Sequence, residues 1–117
     1  MKVDIAWWDL DGSGQTVDSL GRHLREGAVD PWTDVDGLRL KLWIADRTAN
    51  RWGALMIWES YPPASTALPP NRAAELIGAQ PTYRQRFEVE AAVEGAHSGS
   101  PLHWLGSALA GGGTPDA

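Results

Sequence analysis

The chain has 117 residues, 43% of them hydrophobic and 21% charged, and this balance is typical of one ordinary globular domain. The formal net charge of -5 gives no broad basic surface, so a nucleic-acid partner is not expected. No cysteine is present, which excludes disulfides, thiolate catalysis and thiolate metal sites. No apolar run reaches the roughly 18 residues that a spanning helix needs, and the acidic N-terminus lacks the apolar core of a cleavable signal. We therefore expect a cytoplasmic protein without a membrane partner.

The N-terminal part of the chain predicts a strand followed by a helix. Residues 2–8 are rich in Val, Ile and Trp and end at a stretch of turn formers, which favours a strand and a loop. Thr16 is a suitable N-cap, and apolar residues then recur at helical spacing up to Gly27. A helix is therefore predicted over about residues 17–26, followed by a loop that contains Trp32.

Residues 37–59 predict a β-hairpin. In its first strand four aliphatic side chains alternate with Arg39, Lys41 and Trp43, which indicates one fully apolar face and one charged face. Turn formers follow over residues 47–50, and residues 51–59 are then almost continuously apolar. The second strand of the hairpin is therefore expected at the centre of a sheet.

The segment after the hairpin predicts a short helix and a last strand. Proline pairs at 62–63 and 69–70 exclude one long helix, and Asn71 is a suitable N-cap for a short helix that stops at Gly78. From Arg84 to Val93 apolar residues alternate with mostly charged ones, which predicts a fourth strand that also has one apolar and one charged face.

The predicted order of elements is β, α, β, β, α, β, the split βαβ pattern of an α+β, ferredoxin-like sandwich with a four-stranded antiparallel sheet. Its strand order, 4-1-3-2, places the second and fourth strands at opposite edges. Basic Arg39 and Lys41 lie on one edge strand, and acidic Glu88 and Glu90 lie on the other. We therefore expect a homodimer in which two sheets face each other and pair these charges. Solvated strand faces are the alternative.

The hairpin segments GLRLKLWI and RWGALMIWES resemble those of a small monooxygenase family in the dimeric α/β-barrel superfamily, alongside antibiotic-biosynthesis monooxygenases. The resemblance covers about residues 2–93 and is most specific at Gly37-Leu38, in the spacing of Lys41 and Trp43, and at Gly53. It implies a homodimer whose two sheets form an α/β barrel, with a pocket in each subunit between its sheet and its helices.

The chain departs from this family at two places. Prolines interrupt the stretch between Ser60 and Pro70, where relatives carry a continuous helix, so the roof of the pocket is expected to differ. Trp7 and Trp8 stand near the end of the first strand, where haem-degrading relatives typically carry an asparagine. Haem degradation is therefore disfavoured.

Aromatic side chains are the main candidates for a ligand pocket, because 7 of the residues are tryptophan. Their flat rings suit a core, a subunit interface or an aromatic ligand. No Ser/His/Asp order, phosphate-binding loop or dinucleotide fingerprint is present, and the histidines are too dispersed to indicate a metal. We predict no cofactor and no metal. The candidate substrate-binding residues are Trp7, Trp43, Trp52, Trp58, Met56 and Tyr83.

Three residues are candidates for catalysis. His23 borders the apolar stripe of the first helix and is the candidate general base, since an imidazole titrates near neutral pH. A catalytically silent histidine is the alternative. Arg86, on the charged face of the fourth strand, is the candidate for stabilising an enolate or phenolate, and Glu59, at the end of the third strand, is the next candidate base. Surface charges are the alternative for both.

The residues after Gly95 predict a tail that is separate from the ferredoxin-like domain of residues 1–95. Ser100 as N-cap, Pro101 at the first helical position and leucines at helical spacing predict a short helix over about residues 100–110, within a tail of residues 96–117. The residues after Gly111 are expected to be disordered.

Together these features favour a cofactor-independent monooxygenase that acts on a small aromatic or polyketide-like substrate in natural-product biosynthesis. A substrate that forms a stabilised carbanion passes an electron to oxygen itself, so the protein supplies a base, an oxyanion donor and a dry pocket. A cyclase or isomerase that uses the same parts without oxygen and a non-catalytic ligand-binding dimer are the alternatives.

Overall fold

A computed structural model describes residues 1–61, 65–97, 99, 102 and 106–110. It contains four strands, β1 (Lys2–Asp9), β2 (Leu38–Asp46), β3 (Arg51–Trp58) and β4 (Tyr83–Glu88). They form one antiparallel sheet in the order β2-β3-β1-β4. This is the predicted order read from the other edge, with β3 central and β2 and β4 outermost, and it is compatible with a ferredoxin-like fold.

The first helix, α1 (Val17–His23), begins at the predicted cap. The Thr16 hydroxyl accepts a hydrogen bond from the Ser19 N–H at 3.0 Å, and the Ser19 hydroxyl accepts one from the Thr16 N–H at 2.9 Å. This reciprocal pair satisfies two donors that a helix start would otherwise leave free. The sequence therefore fixes this helix start locally.

The chain after α1 is more helical than predicted. A single π-type turn, Leu24–Ala28, follows α1 and contains Gly27 at a φ of 111°, a value that glycine adopts without strain. A 3-10 helix, Asp30–Asp34, then replaces the predicted loop. It buries Trp32, which is only 9% exposed. This tryptophan therefore belongs to the interior of the fold.

The second helix, α2 (Arg72–Ile77), has both predicted ends. The side chain of Asn71 accepts a hydrogen bond from the Ala74 N–H at 3.1 Å, and Gly78 ends the helix in the left-handed conformation at a φ of 75°. None of the helices in the described ranges has the length and apolar character that crossing a membrane requires.

The last strand, β4, ends at Glu88, before the predicted Val93. Its described neighbour in the sheet is β1, and Glu88 pairs with Lys2, the first residue of that strand. One further hydrogen bond, from the Val89 N–H to the Met1 carbonyl, ends the ladder. The alternating pattern continues beyond this point, but it has no strand to pair with.

The helices cover the sheet face that carries Lys41, and this corrects the expectation that this charged face meets a second subunit. Trp43, on the same face of β2, packs against the core. Leu42 and Ile44, on the opposite face, are 37% and 39% exposed. The charges that were expected to pair between subunits are also used within one chain, since Lys2 binds Glu88 at 2.9 Å. The core cluster consists of Trp8, Leu10, Val17, Leu20, Leu24, Val29 and Trp52.

The opposite face of the sheet is mostly apolar, and none of the described helices lies on it. Within it Trp7 stacks on Tyr83 with ring centroids 4.1 Å apart. Gly53 lies beside this stack, and a Cβ there would collide with the Ala6 carbonyl oxygen and lie 2.7 Å from the Trp7 Cβ. We call this surface the apolar sheet face. By register its uncharged residues are Val3, Ile5, Trp7, Leu40, Leu42, Ile44, Gly53, Leu55, Ile57, Tyr83, Gln85 and Phe87. The charged residues Asp9, Asp46 and Arg51 lie at one end of it, where Arg51 pairs with Asp9 at 2.8 Å.

The described part of the C-terminal segment contains α3 (Ser107–Ala110), which packs on α1. A Cβ at Gly21 would lie 3.3 Å from the Ala108 Cβ, so the two helices approach closely there. Arg25 Nη1 donates a hydrogen bond to the Ala108 carbonyl at 3.0 Å. Of the helix predicted over about residues 100–110, Ser100, Pro101 and residues 103–105 lie outside the described residues, as do residues 111–117 and their predicted disorder.

Candidate functional site

A cavity of about 830 Å³ lies between the edge strand β2, α1, the 3-10 helix and α3. Three tryptophans line it, namely Trp32, Trp43 and Trp52. Sites for small molecules typically have volumes of about 300–1,000 Å³ and mostly apolar walls with a few polar groups. We call this space the tryptophan cavity. Its size and lining suit a small organic ligand.

A second cavity, of about 20 Å³, shares these three tryptophans and is closed by residues of α2. It is large enough for about one water molecule. Lys41 lines both cavities, whereas His23 lines only the smaller one. The fold therefore brings a lysine and a histidine to one small space in the interior.

The Lys41 ammonium lies between aromatic rings. Its Nζ is 3.3 Å from the centroid of the Trp32 ring and 4.8 Å from that of Trp43. Within the described ranges no carboxylate forms an ion pair with it. The strand β2 determines the position of Lys41. Side chains alternate between the two faces of a strand, so Lys41 and Trp43 both lie on the helix side of the sheet, where Trp32 also lies.

Burial changes the acidity of this lysine. Loss of hydration lowers the pKa of Lys41 from its ordinary value of 10.5 to about 7. The indole faces act in the opposite direction, since their electron-rich surfaces attract the cation. A lysine with a lowered pKa in an apolar pocket is partly unprotonated near neutral pH, and it is then able to act as a base or a nucleophile.

The charged groups around the tryptophan cavity are mainly basic. Arg47 binds Asp18 at 2.8 Å, and Arg39 binds Glu59 at 2.7 Å, so these two arginines are neutralised. Arg25 bonds only to a backbone carbonyl among its described partners. Arg25 and Lys41 are thus the cavity-lining cations without a described carboxylate, and they favour a ligand with an anionic or strongly polarised oxygen.

The candidate base His23 lies at the C-terminal end of α1. Its side chain is 22% exposed, and its Nδ1 lies 3.7 Å from Glu26 Oε1, an ion-pair distance if the ring is protonated. His23 lines the smaller cavity together with Lys41, so it lies at the candidate site. His23 is the one candidate catalytic residue that the structure brings to the cavities.

Arg86 and Glu59 lie away from both cavities. Arg86 Nε donates to Asp4 Oδ1 at 2.9 Å, and this hydrogen bond raises the pKa of the guanidinium. The Tyr61 hydroxyl donates to the same Asp4 oxygen at 3.2 Å, and the Arg86 guanidinium lies 4.2 Å from the Tyr61 ring. Arg86 therefore belongs to a separate cluster, while Glu59 holds Arg39.

The six candidate substrate-binding residues fall into three groups. Trp43 and Trp52 line the tryptophan cavity. Trp58 and Met56 share the sheet face with Trp52 but line neither cavity, and the buried Trp58 Nε1 has no hydrogen-bond partner within the described residues. Trp7 and Tyr83 lie on the apolar sheet face.

Sequence reasoning missed two residues of the site, Lys41 and Trp32. Lys41 was read as part of a solvated or dimer-forming charged face. The sequence does contain a signal that this face is buried. The same face of β2 and β3 carries Trp43, Trp52 and Trp58, and such large apolar side chains are usually buried in a folded protein. For Trp32 no local pattern gave a signal, because it stands in a stretch without periodicity.

The described residues contain no group of three or more His, Asp or Glu side chains placed to hold a metal ion. A scan against protein-family models and a search of curated proteins find no match for this chain. The resemblance to the dimeric α/β-barrel monooxygenases therefore stays a prediction, and the functional argument depends on the fold and the cavity.

Proposed function

We propose that the protein is a homodimeric, cofactor-independent, monooxygenase-like enzyme of the cytoplasm that acts on a small aromatic or polyketide-like molecule. The observation that carries this proposal is the position of Lys41 Nζ between the rings of Trp32 and Trp43, in a cavity of about 830 Å³. Indole walls hold a flat ring by stacking, and the lysine provides the polar group that fixes its orientation.

The reaction begins with removal of a proton from a carbon beside a carbonyl or phenol group. His23, which lines only the smaller cavity, takes this proton through a water molecule held there. The Lys41 ammonium stabilises the negative oxygen that forms, the role that the sequence assigned to Arg86. The carbanion then reduces dioxygen. One oxygen atom ends on the substrate carbon as a carbonyl, the other leaves as water with the two hydrogens of the original CH₂ group, and no other reductant is needed.

The test is turnover of a hydroxylated anthrone, a polyketide-like substrate with an acidic CH₂ group, under air and under nitrogen. We expect the oxygenated product by mass spectrometry in air alone, and a loss of about a hundredfold in rate for His23→Ala. His97→Ala, at an exposed residue outside both cavities, is the matched control and should keep full activity. Equal product under nitrogen would indicate a cyclase or isomerase, and no turnover in either gas would leave a ligand-binding protein.

The apolar sheet face supports the homodimer. Its side chains are mostly apolar, its charged residues lie at one end, and no described helix covers it. Four strands about 4.8 Å apart and about eight residues long, at about 3.3 Å each, make a surface of roughly 500 Å² in projection. A standard interface buries roughly 800 Å² of accessible surface per partner, so this face is large enough to supply a major part of one. A second copy offers the same surface about a two-fold axis, and the two sheets then enclose an α/β barrel.

A further inference from the structure

We propose that Lys41 captures the carbonyl group of an aromatic aldehyde or ketone covalently, as an imine, between the rings of Trp32 and Trp43. This inference rests on the proposed function and deepens it, since it names the substrate class that the tryptophan cavity receives. It also assigns a bond-forming role to a lysine that the sequence placed on an outward charged face.

The surroundings of Lys41 differ from those of Lys2, the other lysine of the chain. Lys2 Nζ lies 2.9 Å from Glu88 Oε1 and forms an exposed ion pair with it. Lys41 Nζ has no described carboxylate partner and lies 3.3 Å from the Trp32 ring centroid. Burial in this apolar setting lowers its pKa to about 7, so a large part of the amine carries a free lone pair at neutral pH.

The tryptophan cavity has room for a ring next to this amine. Beyond Lys41 its wall includes Val17, Leu24 and Val29, which are apolar and partly enclose the space. Arg25, a cation with no described carboxylate partner, lies on the same wall and suits an acidic substituent of the ring. An aromatic carbonyl compound therefore finds a nucleophile, stacking surfaces and a charge partner in one cavity.

The bond-forming step needs no other reactant. The neutral Nζ attacks the carbonyl carbon, a carbon–nitrogen bond forms, and the carbonyl oxygen leaves as water with the two amine protons. No electrons are gained or lost. When the imine is protonated, its positive charge stands where the ammonium stood, against the same two indole faces. In a ketone with a C–H bond beside the iminium carbon, the iminium takes the place of the ammonium and stabilises the negative charge that forms when His23 removes this proton.

The experiment uses the full chain, with Lys2 and the N-terminal amine as internal references. The protein is incubated with 4-hydroxybenzaldehyde and sodium cyanoborohydride, which reduces an imine to a stable secondary amine, and the adducts are located by peptide mass mapping. We expect the adduct on Lys41 to form at least about ten times faster than on Lys2 at neutral pH, because burial leaves part of the Lys41 amine unprotonated and the cavity holds the aldehyde beside it. A Lys41 rate equal to or below that of Lys2 would overturn the inference.

Lys41→Arg provides a variant that keeps the cation but is unable to form an imine. We expect it to lose the fast adduct while still binding 2-naphthoate, which shows that the cavity is folded, and Lys2→Arg should leave the Lys41 adduct unchanged. A Lys41 adduct without oxygen-dependent turnover would support imine formation at Lys41 and contradict the proposed oxygenase function. If Lys41→Arg retains oxygen-dependent turnover at the full rate, the imine proposal is contradicted, whereas the proposed function is not.

Discussion

Lys41 Nζ lies 3.3 Å from the centroid of the Trp32 ring, and this contact joins the edge strand β2 to the 3-10 helix. Two physical effects meet at the contact. Burial removes the hydration of the ammonium, which favours the neutral amine, while the indole face attracts the cation. An amine that titrates near neutral pH exchanges protons readily there, and the proposed chemistry of the tryptophan cavity depends on this property.

The pH dependence of stability should reveal this lysine. Its folded-state pKa of about 7 lies below the unfolded value of about 10.4, so between these values the unfolded chain binds more protons than the folded chain. The free energy of unfolding therefore rises with pH in this window, by up to about 1.4 kcal/mol per pH unit from this group. Urea unfolding at about pH 7.5 and about pH 9 should show a larger rise in the parent protein than in Lys41→Met.

The difference between the parent protein and Lys41→Met isolates the contribution of Lys41, because all other charges near this lysine are the same in both proteins. The charged residues that line the two cavities are Asp18, His23, Arg25, Arg39, Arg47 and Arg72. Parallel stability curves for the parent and Lys41→Met would show that the lysine keeps an ordinary pKa in the folded state.

The aromatic wall should determine the affinity for flat anions. Trp32→Leu removes the ring closest to Lys41, and we expect it to weaken the binding of 2-naphthoate by about two- to tenfold, since stacked aromatic pairs contribute about 0.5–1.5 kcal/mol beyond their buried area. Calorimetric titration measures the affinity. Trp7→Phe, on the apolar sheet face, is the control and should leave it unchanged. Equal losses in both variants would move the binding site away from the tryptophan cavity.

The apolar sheet face should hold two chains together. We expect the parent protein to sediment as a dimer at micromolar concentration and Leu42→Glu to sediment as the 12.7 kDa chain, because a buried, unpaired carboxylate is costly. Arg84→Glu changes charge by a larger amount on the opposite side of the sheet and should remain dimeric. A parent protein that sediments only at 12.7 kDa would contradict the dimer.

Gly53 should tolerate no side chain. Its Cβ position collides with the Ala6 carbonyl oxygen and lies 2.7 Å from the Trp7 Cβ, so Gly53→Ala forces two central strands apart. We expect a loss of about 1–3 kcal/mol in the free energy of unfolding. Gly95→Ala, where nothing lies within 4 Å of the added methyl group, should unfold like the parent protein. Similar unfolding of both variants would show that β1 and β3 are spaced differently.

Local chemistry explains why much of the fold was predictable. Caps act over three or four residues, so Thr16, Asn71 and Gly78 mark helix ends that the structure confirms. The alternation of β2 likewise identifies which residues share a face. The end of β4 was not predictable from its own alternation, because it depends on where β1 begins, at Lys2.

The site was harder to predict because alternation does not reveal which face the helices cover. The leucine face of β2 looked like the core, yet the helices pack on the face of Trp43 and Lys41, where larger side chains fill more space. The position of Trp32 depends on a 3-10 helix that forms from long-range packing. The environment of Lys41 depends both on which face the helices cover and on the position of Trp32, so no short stretch of sequence predicts it.

An NMR titration of the lysine ε-methylene groups tests the reactive lysine most directly, since the chain has only Lys2 and Lys41 and a Lys2→Arg variant assigns the two signals. We expect the Lys41 signal to titrate near pH 7 and to shift when 2-naphthoate is added, while the Lys2 signal does not respond to this anion. A Lys41 signal that titrates near 10.5 and does not respond to the aromatic anion would contradict the assignment of Lys41 as the chemical group of the cavity.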